Sequence, residues 1–145
     1  MTKCALKTDI NMQAVIDTRF LVTHFLAPDE ETKKWTKTTL ETLQKEVNHG
    51  IVPSIVIHEF YKFEMQTLGI DVANMRANII LKSKLTTLDL DPNIAIEAAR
   101  LRCKYTDLPT ADAIIAASAI KSSADFILTD DKHLKQIKEI KTKWA

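Results

Sequence analysis

The sequence predicts an α/β protein with a parallel sheet covered by helices on both faces. Three observations carry that expectation. Short unbroken apolar runs, such as Ala14-Val15-Ile16 and Phe126-Ile127-Leu128, have the length of buried strands. Longer stretches between such runs space their apolar residues at helical intervals. The two kinds of segment alternate along the chain, which is the order of strand–helix–strand units. With 145 residues, no internal repeat and no Pro/Gly/Ser linker, the chain fits one domain. The expected organisation is a polar leader over residues 1–13 and a single domain over residues 14–145.

Each element has a local reason. Residues 14–16 form the first strand, which ends at Asp17. Residues 18–26 have helical apolar spacing, and Pro28 breaks it. Residues 30–49 are amphipathic, with Leu40, Leu43 and Val47 on one face and Gly50 as the stop. Residues 51–53 give a second strand. Ser54 is placed to cap a helix that runs to Leu68, with Gly69 after it. Residues 72–84 read as a helix and residues 85–90 as a strand. Pro92 opens the next helix, which continues to Tyr105. Leu108-Pro109 interrupts the chain, and Thr110 is placed to cap a helix over residues 111–121. Residues 126–129 are a strand followed by Asp130-Asp131, residues 132–138 a short helix, and residues 140–144 a last edge strand.

Composition excludes several classes of function. Only two glycines occur, Gly50 and Gly69, so there is no glycine-rich phosphate loop or dinucleotide fingerprint. Cys4 and Cys103 stand apart without a partner motif, which argues against a disulfide framework or a zinc site and for two structural thiols. His24, His49, His58 and His133 lack the spacing of a helical metal pair and are read as non-catalytic. Twenty basic and 19 acidic residues give a net charge of +1, so any affinity for nucleic acid must be local. No stretch reaches the roughly 20 apolar residues that span a bilayer. The opening stretch lacks the apolar core of a secretory signal, and the expected compartment is the cytoplasm.

The acidic residues carry the functional signal. In a parallel sheet, ligand sites lie beyond the carboxyl ends of the strands. Asp17 follows the first strand directly, and Asp130 and Asp131 follow the strand at Phe126. Crossover helices run antiparallel to the strands and so begin near the same edge. That places Asp112, in the first turn of an apolar helix, and Glu59, a little over one turn into another, at that edge too. Singly, each residue reads more readily as a cap, a helix-dipole partner or a half-exposed polar group. Together, four converging carboxylates repel one another unless a cation sits among them. Magnesium and manganese prefer carboxylate and water ligands, and two such ions about 3.5–4 Å apart serve phosphodiester hydrolysis.

The segments Ala14-Val-Ile-Asp17-Thr-Arg-Phe-Leu-Val, Ile57-His-Glu59-Phe, Leu108-Pro-Thr-Ala-Asp112-Ala-Ile-Ile-Ala-Ala-Ser-Ala and Ile127-Leu-Thr-Asp-Asp131 together resemble the PIN-domain pattern. They are most similar to its stand-alone, VapC-like type, the toxin half of prokaryotic toxin–antitoxin pairs. The resemblance covers the chain from about Ala14 onward; its first and third segments are the most specific and Glu59 is the weakest match. It implies a three-layer α/β/α sandwich with a parallel sheet of about five strands and a metal-dependent endoribonuclease using Mg2+ or Mn2+. Carried over by position, Asp17 and Asp112 are direct metal ligands, and Glu59 and Asp131 complete a catalytic quartet. Thr18 and Thr129 match small polar supporting positions. Asp130 is a supporting residue, with family spacing favouring Asp131 as the inward carboxylate. The resemblance also implies an RNA substrate, an antitoxin partner and a homodimer.

Arg19 is the best single candidate for a substrate phosphate contact, with a surface ion pair as its bland alternative. Lys132, Lys135, Lys138, Lys141 and Lys143 either follow the RNA backbone or form a solvated face. Trp35 and Trp144 are read as packing residues. A haloacid-dehalogenase-type phosphatase also begins with Asp after its first strand, but needs a second Asp where Arg19 stands. The remaining alternative is a non-catalytic RNA- or protein-binding module on the same fold.

Overall fold

The computed structural model describes residues 11–145. Twelve elements follow in the order β1 (Gln13–Ile16), α1 (Thr18–Phe25), α2 (Glu30–Leu43), β2 (His49–Pro53), α3 (Ser54–Leu68), α4 (Ile70–Lys82), β3 (Thr86–Leu88), α5 (Pro92–Lys104), α6 (Thr110–Lys121), β4 (Phe126–Leu128), α7 (Lys132–Lys135) and β5 (Thr142–Lys143). The five strands form one sheet in the order β3-β2-β1-β4-β5, and every pairing in it is parallel. The three-layer expectation holds, because a parallel sheet buried on both faces needs helices on each.

The reversal of strand order falls beside β1. From β1 the chain builds outward through β2 and β3, then returns to add β4 and β5 on the other side. Such a switch point opens a crevice at the carboxyl ends of the strands. The neighbours across it are β1 and β4, in register Ile16↔Leu128. Asp17 and Thr129 extend from those two ends.

Ala14, Val15, Ile16, Val52 and Ile127 are fully buried, as unbroken apolar strands should be. Helix α6 contributes Ala113, Ile115, Ala116, Ala117 and Ala119 to the same core. Its small residues let it lie close against β1 and β4. Trp35 and Trp144 pack edge to face with one another at 5.3 Å and with Phe20 at 5.6 and 5.8 Å. Both tryptophans therefore act as packing residues, tying the segment after β5 to α1 and α2.

Several boundaries differ from the sequence reading. Strand β1 starts at Gln13 and Met12 is buried, so the end of the leader belongs to the fold; its residues 1–10, and with them Cys4, lie outside the described residues. Helix α2 stops at Leu43, and Gly50 lies within β2 rather than at a helix end. The turn between them is held by Asn48, whose side chain donates to the Thr42 carbonyl and accepts from the Met12 N–H. Gly50 is needed for space: a Cβ there would meet Leu85 Cδ2 at 2.5 Å and Leu43 Cβ at 3.0 Å. Ser54 and Thr110 are first helical residues, with Pro53 and Pro109 in the cap positions and no side-chain cap bond. Helix α4 begins immediately after Gly69, whose φ of 93° suits glycine alone. Helix α7 is a single turn, and Cys103 is exposed rather than packed. No helix among the described residues is long and apolar enough to cross a membrane.

Candidate metal and nucleic-acid site

The first strand delivers Asp17 to the crevice and α1 begins at once, so Asp17 is its N-cap. The carboxylate is 3 % exposed and fully engaged. Its Oδ1 accepts from the Thr18 N–H at 2.8 Å, and its Oδ2 accepts from the Thr129 hydroxyl at 2.6 Å. Thr129 Oγ1 in turn accepts from the Asp131 N–H at 3.0 Å. One buried hydroxyl therefore fixes the end of β1 and the turn after β4 together. Asp131 caps α7 through its Oδ1 on the His133 N–H. The Thr18 hydroxyl donates to Glu59 Oε1 at 2.9 Å, which joins α1 to α3.

Asp112 enters from the first turn of α6. Among the described residues no protein hydrogen bond engages its carboxylate. Its pKa is pushed up to about 7, first by burial and then by the charges of Asp131, Asp17 and Glu59, with Arg19 opposing. The Asp17 carboxyl is pushed up to about 6. Burial is again the main cause; Asp131 and Glu59 add to it, and the bonds from Thr129 and Thr18 oppose it. The four sequence-selected carboxylates therefore stand within electrostatic reach of one another at one sheet edge.

Asp130 does not face inward. Its Oδ1 holds Arg19 Nε at 2.5 Å in a pair with side-chain exposures of 32 % and 54 %. Arg19 thus makes the surface ion pair, on the rim of the acidic group. Lys132, Lys135, Lys138, Lys141 and Lys143 are all exposed.

The donor set fits a hard cation, since four carboxylates offer only oxygen. Among the described residues, however, no group of three or more His, Cys, Asp or Glu side chains is arranged to hold a metal ion. Two causes are visible. Both oxygens of Asp17 and one each of Glu59 and Asp131 serve internal hydrogen bonds. Mutual repulsion also favours separation of uncompensated carboxylates.

Two polar features escaped the sequence reading. Glu64 is fully buried, and Arg76 Nη1 donates to both of its carboxylate oxygens, at 2.8 and 3.1 Å. Arg76 also lies over the Phe25 ring at 5.3 Å. Glu64 sits five residues after Glu59 and so about 140° around the helix, away from the crevice. The signal for it, a basic residue twelve positions on in the next helix, is too common to read. His24 hydrogen-bonds Thr36 Oγ1 through Nδ1, and its pKa falls to about 4 through burial and the nearby Lys33. His24 lines an apolar cavity of about 170 Å³ between α1, α2 and α4, which none of the four carboxylates lines.

Residues 14–140 match the sequence model of the PIN domain. A search of curated proteins finds no match. Among solved structures the chain is similar to VapBC2 from Rickettsia felis bound to a DNA fragment from its promoter, with TM-score 0.75 and 20% identity over 92% of this chain and 98% of that one. It is similar to Mycobacterium tuberculosis VapC20, described as a sarcin-ricin loop cleaving toxin, with TM-score 0.68 and 16% identity over 85% and 93% of the two chains. FitAcB from Neisseria gonorrhoeae matches with TM-score 0.65 and 20% identity over 89% and 95%.

Proposed function

The chain belongs to the PIN-domain family, and from that premise we propose that it is a divalent-metal-dependent endoribonuclease. The observation that carries this reading is the closeness of Asp17, Glu59 and Asp131 to the half-buried Asp112, whose pKa burial first and then these charges push up to about 7. Carboxylates placed at this cost in charge repulsion suit a site that binds positive charge.

Asp17 and Asp112 are the residues we assign as direct ligands of Mg2+ or Mn2+, with Glu59 and Asp131 completing the set directly or through water. The cation would polarise the phosphate and lower the pKa of an attacking water. Asp17 is the rigid member: Thr18 and Thr129 fix its plane before any ligand arrives. Asp112 is the adjustable member, since no protein hydrogen bond among the described residues engages its carboxylate. Thr18 aligns Glu59, and Thr129 aligns both Asp17 and the backbone of Asp131. Arg19 is placed on the rim for a substrate phosphate, which it would take in exchange for Asp130.

The partner reading follows from the neighbours. A toxin–antitoxin complex from Klebsiella pneumoniae shares this fold, and we infer an antitoxin protein as the partner of this chain. A homodimer is part of the same reading. Light scattering that returns a 16.4 kDa species at working concentration counts against the dimer.

The test is cleavage of a labelled single-stranded RNA in manganese by the native chain and by Asp17→Asn. Native cleavage with loss in the variant is expected. Equal cleavage by both removes this mechanism, and no cleavage by either favours a binding module.

A further inference from the structure

Helices α3 and α6 lie side by side and both begin at the edge that carries the carboxylates. Between them runs an open groove of about 450 Å³, within the size range of small-ligand sites. Its walls include Glu59, Lys62, Phe63 and Gln66 of α3, with Thr110 and Ile114 of α6. The α3 residues recur every three to four positions, which places them on one face. Glu59 belongs both to this groove and to the acidic crevice. The groove is therefore the continuation of the crevice along the protein surface.

Its chemistry differs from that of the crevice. Phe20, Phe60 and Phe126 are buried and Phe25 is half-buried, whereas Phe63 is 38 % exposed. Lys62 sets a cation beside that ring, and Gln66 and Thr110 bring an amide and a hydroxyl. An exposed aromatic ring with a neighbouring cation and a few polar groups is the combination that holds unpaired bases.

Resting on the reading of the crevice as an RNA site, we propose that this groove is a nucleobase subsite for single-stranded RNA. The base adjoining the phosphate in the crevice stacks on Phe63. Lys62 meets the next phosphate, and Gln66 and Thr110 meet the base edge or a ribose hydroxyl. The subsite favours unpaired substrate, because a base inside a duplex cannot lay its face on Phe63.

The test is binding of a fluorescein-labelled short single-stranded RNA in EDTA, where cleavage is off, followed by anisotropy. Phe63→Leu keeps an apolar side chain and removes the π face; Phe63→Tyr keeps the ring. The expected result is about a tenfold or greater loss of affinity for Phe63→Leu, with Phe63→Tyr close to native. Native-like binding by Phe63→Leu overturns the subsite. So does a loss shared equally by Leu and Tyr, or one accompanied by a changed mass in light scattering, which marks a protein contact instead. If the native chain cuts RNA while Phe63→Leu binds normally, only the subsite falls. If the native chain neither binds nor cuts, the crevice reading falls with it.

Discussion

Replacing Thr129 by valine removes one hydroxyl at nearly constant volume and disconnects three groups at once. Thr129 is fully buried. Its Oγ1 donates to Asp17 Oδ2 at 2.6 Å and accepts from the Asp131 N–H at 3.0 Å. A hydrogen bond to a charged group contributes about 1.5–3 kcal/mol and a neutral one about 1 kcal/mol. The added methyl offsets less than about 1 kcal/mol. At pH 7.5 Thr129→Val should therefore destabilise by about 2–3 kcal/mol, against about 1 kcal/mol for Thr129→Ser, which keeps the hydroxyl and loses one methyl. The valine penalty should also depend on pH. Asp17 titrates near 6 in the folded protein, so at pH 4.5 the hydroxyl faces a neutral acid and the bond is weaker. A penalty smaller by about 1.4 kcal/mol at pH 4.5 corresponds to a rise of about one pH unit in the Asp17 pKa on losing the hydroxyl. Urea unfolding in EDTA at the two pH values reads this directly. The reasoning is refuted if valine costs no more than serine, or if its penalty is the same at both.

Three further outcomes follow from the geometry. Asp17 and Asp112 have folded-state pKa values above the unfolded value of 3.8, so their stabilising contribution is complete below about pH 4 and is lost as pH rises through 6 and 7. Calorimetry in EDTA should show Asp112→Asn flattening the decline in Tm between about pH 5 and about pH 7.5, and manganese should reduce that decline in the native chain. Arg76→Ala leaves the fully buried Glu64 without its partner; a loss of about 3–5 kcal/mol is expected in urea unfolding, and a loss below about 1 kcal/mol contradicts it. Gly50→Ala forces its Cβ against Leu85 and Leu43, and thermal unfolding should report a loss of about 1–3 kcal/mol.

The architecture was legible because its strands are unbroken apolar runs and its helices are amphipathic. Apolar runs at residues 14–16 and 126–128 have few ways to be buried other than in a parallel sheet, and their C-terminal aspartates then share an edge. Boundaries were less legible where tertiary contacts override local preference. Gly50 resembles a helix stop in sequence, yet it is a strand residue because Leu85 and Leu43 occupy the space of a side chain. Residues 44–49 continue a helical apolar pattern through Val47, yet Asn48 closes a turn there by bonding Thr42 and Met12. At the site, sequence order placed the four acids together but could not show that Asp130 turns outward to Arg19. Adjacent aspartates differ only in which way the backbone points them, and Thr129 fixes that through the Asp131 N–H. Phe63 was invisible for a similar reason: among the apolar residues of a helix, one that lines an open groove looks like one that enters the core.

The hydroxyl of Thr129 and the carboxylate of Asp17 lie 112 positions apart in the chain. A ribosome making this protein releases Asp17 roughly ten seconds before Thr129 at ordinary elongation rates. Throughout that interval the central strand lacks its β4 neighbour, and the aspartate at its tip lacks the Thr129 hydroxyl that holds its second oxygen. The acidic group at the sheet edge is therefore completed only after β4 and the turn that follows it have been made.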